Sequence, residues 1–79
     1  MWTREKDLIT LSECSTNNRA YCKDIRLKDH LILILKYEHV PTYDVKLLNY
    51  NGTHCLRWFT ELYPFDCFNI VEELIANYD

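Results

Sequence analysis

Glycine occurs once and proline twice in 79 residues. Long flexible linkers and low-complexity disorder are therefore excluded, because both need far more of these residues. One glycine, Gly52, cannot build the glycine-rich loop that cradles a phosphate. No apolar run exceeds Leu31 to Leu35, whereas a membrane-spanning helix needs roughly 20 residues. The first residues, Met1-Trp2-Thr3-Arg4-Glu5-Lys6-Asp7, lack the apolar stretch of a secretory leader. The expectation is a cytoplasmic protein, in the host cytoplasm if the source is a virus. No pair of the cysteines Cys14, Cys22, Cys55 and Cys67 has metal-ribbon spacing, and no HExxH or nucleophile elbow occurs. The sequence thus predicts no metal, no cofactor and no catalytic constellation. In a reducing compartment the cysteines read as small buried hydrophobes. Basic residues are absent after Arg57, while Glu61, Asp66, Glu72, Glu73 and Asp79 follow it. An acidic end therefore caps a nearly balanced body, giving a net charge of −3.

What is present is a folded composition: 48% hydrophobic and 27% charged residues, as a globular chain has. The length makes one domain, 1–79. So small a domain buries only about 60% of the surface of its unfolded chain, which leaves little room for a deep substrate cavity.

Asn51-Gly52 is the strongest local signal, because it suits a two-residue hairpin turn between β-prone runs. Such a turn pairs Tyr50 with Thr53, Leu48 with Cys55, Leu47 with Leu56, Lys46 with Arg57 and Val45 with Trp58. One face then carries Val45, Leu47, Leu56 and Trp58 as core. The other carries Asp44, Lys46, Leu48, Tyr50, Cys55, Arg57 and Phe59. Asn51-Gly52-Thr53 also matches a glycosylation sequon, which outside a secretory route reads as turn chemistry. Upstream, 20–27 and 30–38 read as a second hairpin turning at Lys28-Asp29. Leu31-Ile32-Leu33-Ile34-Leu35 is apolar on both faces, the mark of a central strand. Residues 4–14 fit either a first strand or a short helix capped by Thr3. Past Pro64, with Asp66 as N-cap, Cys67, Ile70, Val71, Leu74, Ile75 and Tyr78 fall on one helical stripe.

The predicted fold is α+β: a small antiparallel β-meander of four or five strands with one C-terminal α-helix packed on one face. One helix leaves the other face uncovered, unless the N-terminal segment with Trp2, Leu8 and Leu11 folds over it. Apolar groups rimmed by charge make a protein contact surface. The predicted protein-binding residues are Asp44, Lys46, Leu48, Tyr50, Arg57 and Phe59 on the sheet, with Glu72 and Glu73 on the acidic helix. The function expected is a small protein-binding module, an inhibitor or adaptor of the viral, mobile-element or immunity-protein type, that occludes a partner protein's site, and not an enzyme. A second reading is a single-stranded nucleic-acid binder that stacks bases on Tyr37, Tyr43, Tyr50 and Phe59 beside Lys36, Lys46 and Arg57. The negative net charge opposes it. A third is a homodimer that buries the same patch by two-fold pairing.

Overall fold

A computed structural model describes residues 21–36 and 40–79. It contains a four-stranded antiparallel sheet followed by a helix. The strands are β1 (Tyr21–Arg26), β2 (His30–Lys36), β3 (Tyr43–Asn49) and β4 (Cys55–Leu62), and the helix is α1 (Pro64–Tyr78). The strands neighbour one another in chain order, so the expected α+β meander with its C-terminal helix is the observed architecture. The strand-or-helix question at 4–14, a fifth strand, Cys14, the covering role of the N-terminal segment and Tyr37 lie outside the described residues.

The first hairpin turns where expected. The Leu27 amide donates to the His30 carbonyl at 2.9 Å, closing a loop at Lys28-Asp29. β2 then lies between β1 and β3, the central place its doubly apolar run predicts. Period-two alternation sends Ile32 and Ile34 to the helix side, where they pair with Leu47 and Val45 of β3. All four are fully buried. Ile25, Leu27 and Tyr43 join them, and α1 closes this core with Cys67, Phe68, Val71 and Leu74. Ile70, Ile75 and Tyr78 pack at its margin. The helical stripe is thus as its spacing predicts, with Phe68 added. At the last turn the Tyr78 ring meets His30 edge-on, centroids 4.8 Å apart, pinning the end of α1 to the start of β2.

The helix starts earlier than its acidic cap suggests. Tyr63 occupies the N-cap with no side-chain capping bond, and Pro64 opens the first turn. Proline's fixed φ suits that position, and its missing N–H is one the helix would leave unbonded anyway. Asp66 therefore sits inside the first turn, where its charge favours the helix dipole rather than capping the amides. The Cys67 amide donates to the Tyr63 carbonyl at 2.9 Å, the first bond of the helix.

Candidate functional site: the β3–β4 hairpin

The second hairpin departs from the two-residue turn. The Asn49 amide donates to the His54 carbonyl at 3.1 Å, so the loop spans 50–53. Tyr50 does not pair with Thr53. Asn49, not Asn51, organises the loop: its Oδ1 accepts from the amides of Thr53 and His54, and its Nδ2 donates to Thr53 Oγ1 at 2.9 Å. An asparagine bonding the backbone ahead of it is a side-chain mimic of a turn. Gly52 alone takes the left-handed conformation here, at φ 72°. Its Cα lies over β2, since a Cβ there would come 3.5 Å from Leu31 Cδ2.

Beyond the loop the register slips once. Leu48 still faces Cys55, as expected, but Leu47 faces Arg57, Lys46 faces Trp58 and Val45 faces Phe59. Leu56 is an extra residue on β4, a β-bulge. Because side chains alternate with period two, one inserted residue exchanges the faces of everything after it. The expectation that Leu56 and Trp58 complete the core is therefore wrong. Leu56 is 53% and Trp58 58% exposed. Phe59 turns to the helix side and packs against the core. A second irregularity follows at Glu61, whose φ is 56°.

These slips regroup the predicted site residues. Asp44, Lys46 and Leu48 share the face away from α1, as expected, but Arg57 and Phe59 have left it and Trp58 has joined it. Lys46 Nζ lies 4.4 Å from the Trp58 ring centroid. The indole Nε1 donates to Asp44 Oδ2 at 3.3 Å, and the Glu61 amide donates to Asp44 Oδ1 at 3.4 Å. Nearer the loop, the Arg26 guanidinium lies 5.1 Å from the Tyr50 ring and donates to the Tyr50 carbonyl at 3.1 Å. On the helix side of β4, Arg57 lies 4.7 Å from the Phe59 ring. Leu48 pairs with Leu31 and both are buried at the loop end of the far face, so Leu48 is support for the surface rather than part of it. Glu72 and Glu73 ride on α1, on the opposite side of the sheet from Lys46, so the eight expected residues form no single patch. The set proposed for base stacking is likewise dispersed: Lys36 and Tyr43 are buried and pair on the core side.

Trp58, Leu56, Arg26 and the bracing role of Asp44 are the functional candidates that alternation alone misses. A non-β-branched residue such as Leu56 in an otherwise regular strand carries no signal for a bulge. The thiols differ sharply. Cys55 is exposed, its Sγ 3.3 Å from the Arg57 carbonyl. Cys67 is fully buried, and that burial pushes its thiol pKa up from 9.0 to about 12. Among the described residues no helix is long and apolar enough to cross a membrane, and no three His, Cys, Asp or Glu side chains cluster as metal ligands. Comparison with family models, curated proteins and solved structures returns no match.

Proposed function

We propose that the chain is a small protein-binding module whose contact surface is the outward side of the β3–β4 hairpin, centred on Trp58. The observation that carries this reading is a large aromatic side chain held in place while 58% exposed. Lys46 lies on its ring and Asp44 accepts from its indole N–H. An exposed tryptophan gains little for the fold, and fixing it removes much of the entropy loss that binding would otherwise impose. Tryptophan and tyrosine are among the residues that dominate protein contacts, and Trp58 and Tyr50 are both exposed on this hairpin. Leu56 extends the apolar area beside them. Such a module acts by occupying a partner's surface, as an inhibitor or adaptor does.

The test is affinity capture from the source organism with wild-type chain and with Leu56→Ala plus Trp58→Ala as baits. The double variant should unfold within about 1 kcal/mol of wild type, since it loses only exposed contacts. Its captured proteins should disappear. An unchanged set of captured proteins would sink the proposal. Mass that rises with concentration in light scattering, and is lost in the variant, would replace it with self-association.

A further inference from the structure

The loop between β3 and β4 holds two asparagines in opposite states. Asn49 is fixed by its bonds to Thr53 and His54. The Asn51 side chain is exposed and makes no hydrogen bond among the described residues. Asn51 is also the one asparagine of the chain that a glycine follows. That neighbour matters, because the main-chain nitrogen of the next residue can attack a side-chain amide. A Cβ on that residue crowds the approach, and Gly52 has none. Every residue from Tyr50 to Cys55 is exposed, so water and base reach the loop freely. One restraint stands in the way. The Gly52 N–H donates to the Asn49 carbonyl at 2.9 Å and must be released before its nitrogen can react. A single hydrogen bond in an exposed loop opens at low cost.

We propose that Asn51 is a site of spontaneous conversion to isoaspartate, which remodels the loop. The Gly52 nitrogen gives its proton to base in the solvent and attacks Asn51 Cγ. A C–N bond forms there, and the bond from Cγ to Nδ2 breaks as ammonia leaves. Water then opens the cyclic imide. Breaking the new bond gives aspartate, and breaking the original peptide bond between Asn51 and Gly52 gives isoaspartate. One water is consumed and one ammonia released, with no oxidant or reductant. Isoaspartate adds one carbon to the main chain and a carboxylate to a chain already at −3. The loop is closed by the Asn49 amide on the His54 carbonyl, and Arg26 holds the Tyr50 carbonyl at 3.1 Å. A carbon inserted between Asn51 and Gly52 shifts the groups that make these bonds. The inference is independent of the binding-module reading.

The experiment is incubation of the full chain at mildly alkaline pH, native and in guanidinium chloride. Peptide mass spectrometry and labelling by an isoaspartyl methyltransferase follow the product. Asn51 should gain the mass of an NH2-to-OH exchange at least about tenfold faster than any other asparagine, because glycine hinders its nitrogen least. The native rate should stay within about tenfold of the unfolded rate, the Gly52 hydrogen bond being the restraint. Asn51→Ser should lose both the mass gain at this site and the methyl label. The isoaspartate product, isolated by ion exchange, should unfold at a lower urea midpoint than Asn51→Asp, which carries the same charge on an unaltered main chain. Stronger native protection, another asparagine reacting first, a label that survives Asn51→Ser, or equal midpoints for the product and Asn51→Asp would each overturn the inference.

Discussion

β2 and β4 both pair with β3, yet β2 has no exposed residue and β4 no buried one. Hydrophobicity does not separate them: Leu56, Trp58 and Phe59 are as apolar as the leucines and isoleucines of β2. Place in the sheet does: among the described residues β2 has a strand on each side and β4 on one side only. α1 lies chiefly over β3 and touches β4 less. A strand at the end of the sheet can keep large side chains such as Trp58 out of the core, which is the condition for turning them toward a partner.

The sharpest break between the two regions is energetic. Leu74 is buried in the core between α1 and the sheet, and Leu74→Ala should cost about 2–5 kcal/mol. Leu56→Ala on β4 should change stability by less than about 0.5 kcal/mol. Urea unfolding of both variants checks this, and a comparable loss at Leu56 would mean that β4 belongs to the core. The thiols give the next largest contrast. The Cys67 pKa is raised from 9.0 to about 12, so the folded state holds the proton more tightly than the unfolded chain. Its contribution to stability is whole below pH 9.0 and is lost as pH rises toward about 12, at about 1.4 kcal/mol per pH unit. Cys67→Ala should start less stable but show a shallower decline over that window. In a Cys14→Ser, Cys22→Ser background a disulfide reagent should label Cys55 in the native protein and Cys67 only on unfolding. Equal labelling rates would contradict the buried position of Cys67.

The two regions also differ in how far the sequence reveals them. Wherever residues alternate without interruption, pattern and structure agree: the Lys28-Asp29 hairpin, the central place of Leu31–Leu35, and the stripe from Cys67 to Tyr78 were all legible. β4 was not, because its bulge is a residue count and not a composition. Nothing in Cys55-Leu56-Arg57 marks Leu56 as surplus, and every side chain after it was consequently assigned to the wrong face. Asn51-Gly52 located the turn but not its size, since Asn49 supplies the side-chain bonds that lengthen the loop. Asp66 reads as the N-cap from sequence, yet Pro64 already serves as the first helical residue. Of the expected contact residues, Asp44, Lys46 and Tyr50 remain on the hairpin surface, Arg57 is exposed on the helix side of β4, Phe59 and Leu48 are taken up by packing, and Glu72 and Glu73 stand apart on α1.

The bulge can be tested directly by deleting Leu56. If Leu56 is surplus, its removal restores strict alternation and leaves Arg57 and Phe59 opposite Leu47 and Val45. Stability should then change by no more than about 1 kcal/mol, and Trp58 emission, measured in a Trp2→Phe background, should stay that of a water-exposed indole. If β4 were instead unbulged, Trp58 would begin in the core with blue-shifted emission, and the deletion would expel it and destabilise the sheet severely. The emission of the undeleted protein therefore already separates the two registers, and the deletion fixes where the slip occurs.

The smallest effect lies at the far end of β4. Glu61 holds φ 56°, a conformation that costs a side-chain-bearing residue about 1–2 kcal/mol and glycine almost nothing. Glycine in turn loses more chain entropy on folding, by about 0.5–1 kcal/mol. Glu61→Gly should therefore raise stability by no more than about 1 kcal/mol, read as a small upward shift in the urea midpoint. Glu61→Ala is the control, because it removes the same carboxylate without relieving the backbone and so should give no gain. Equal shifts for the two would trace the effect to lost charge. A gain confined to glycine would show strain held at the boundary of β4, where the strand departs from regular pairing and the chain turns into α1.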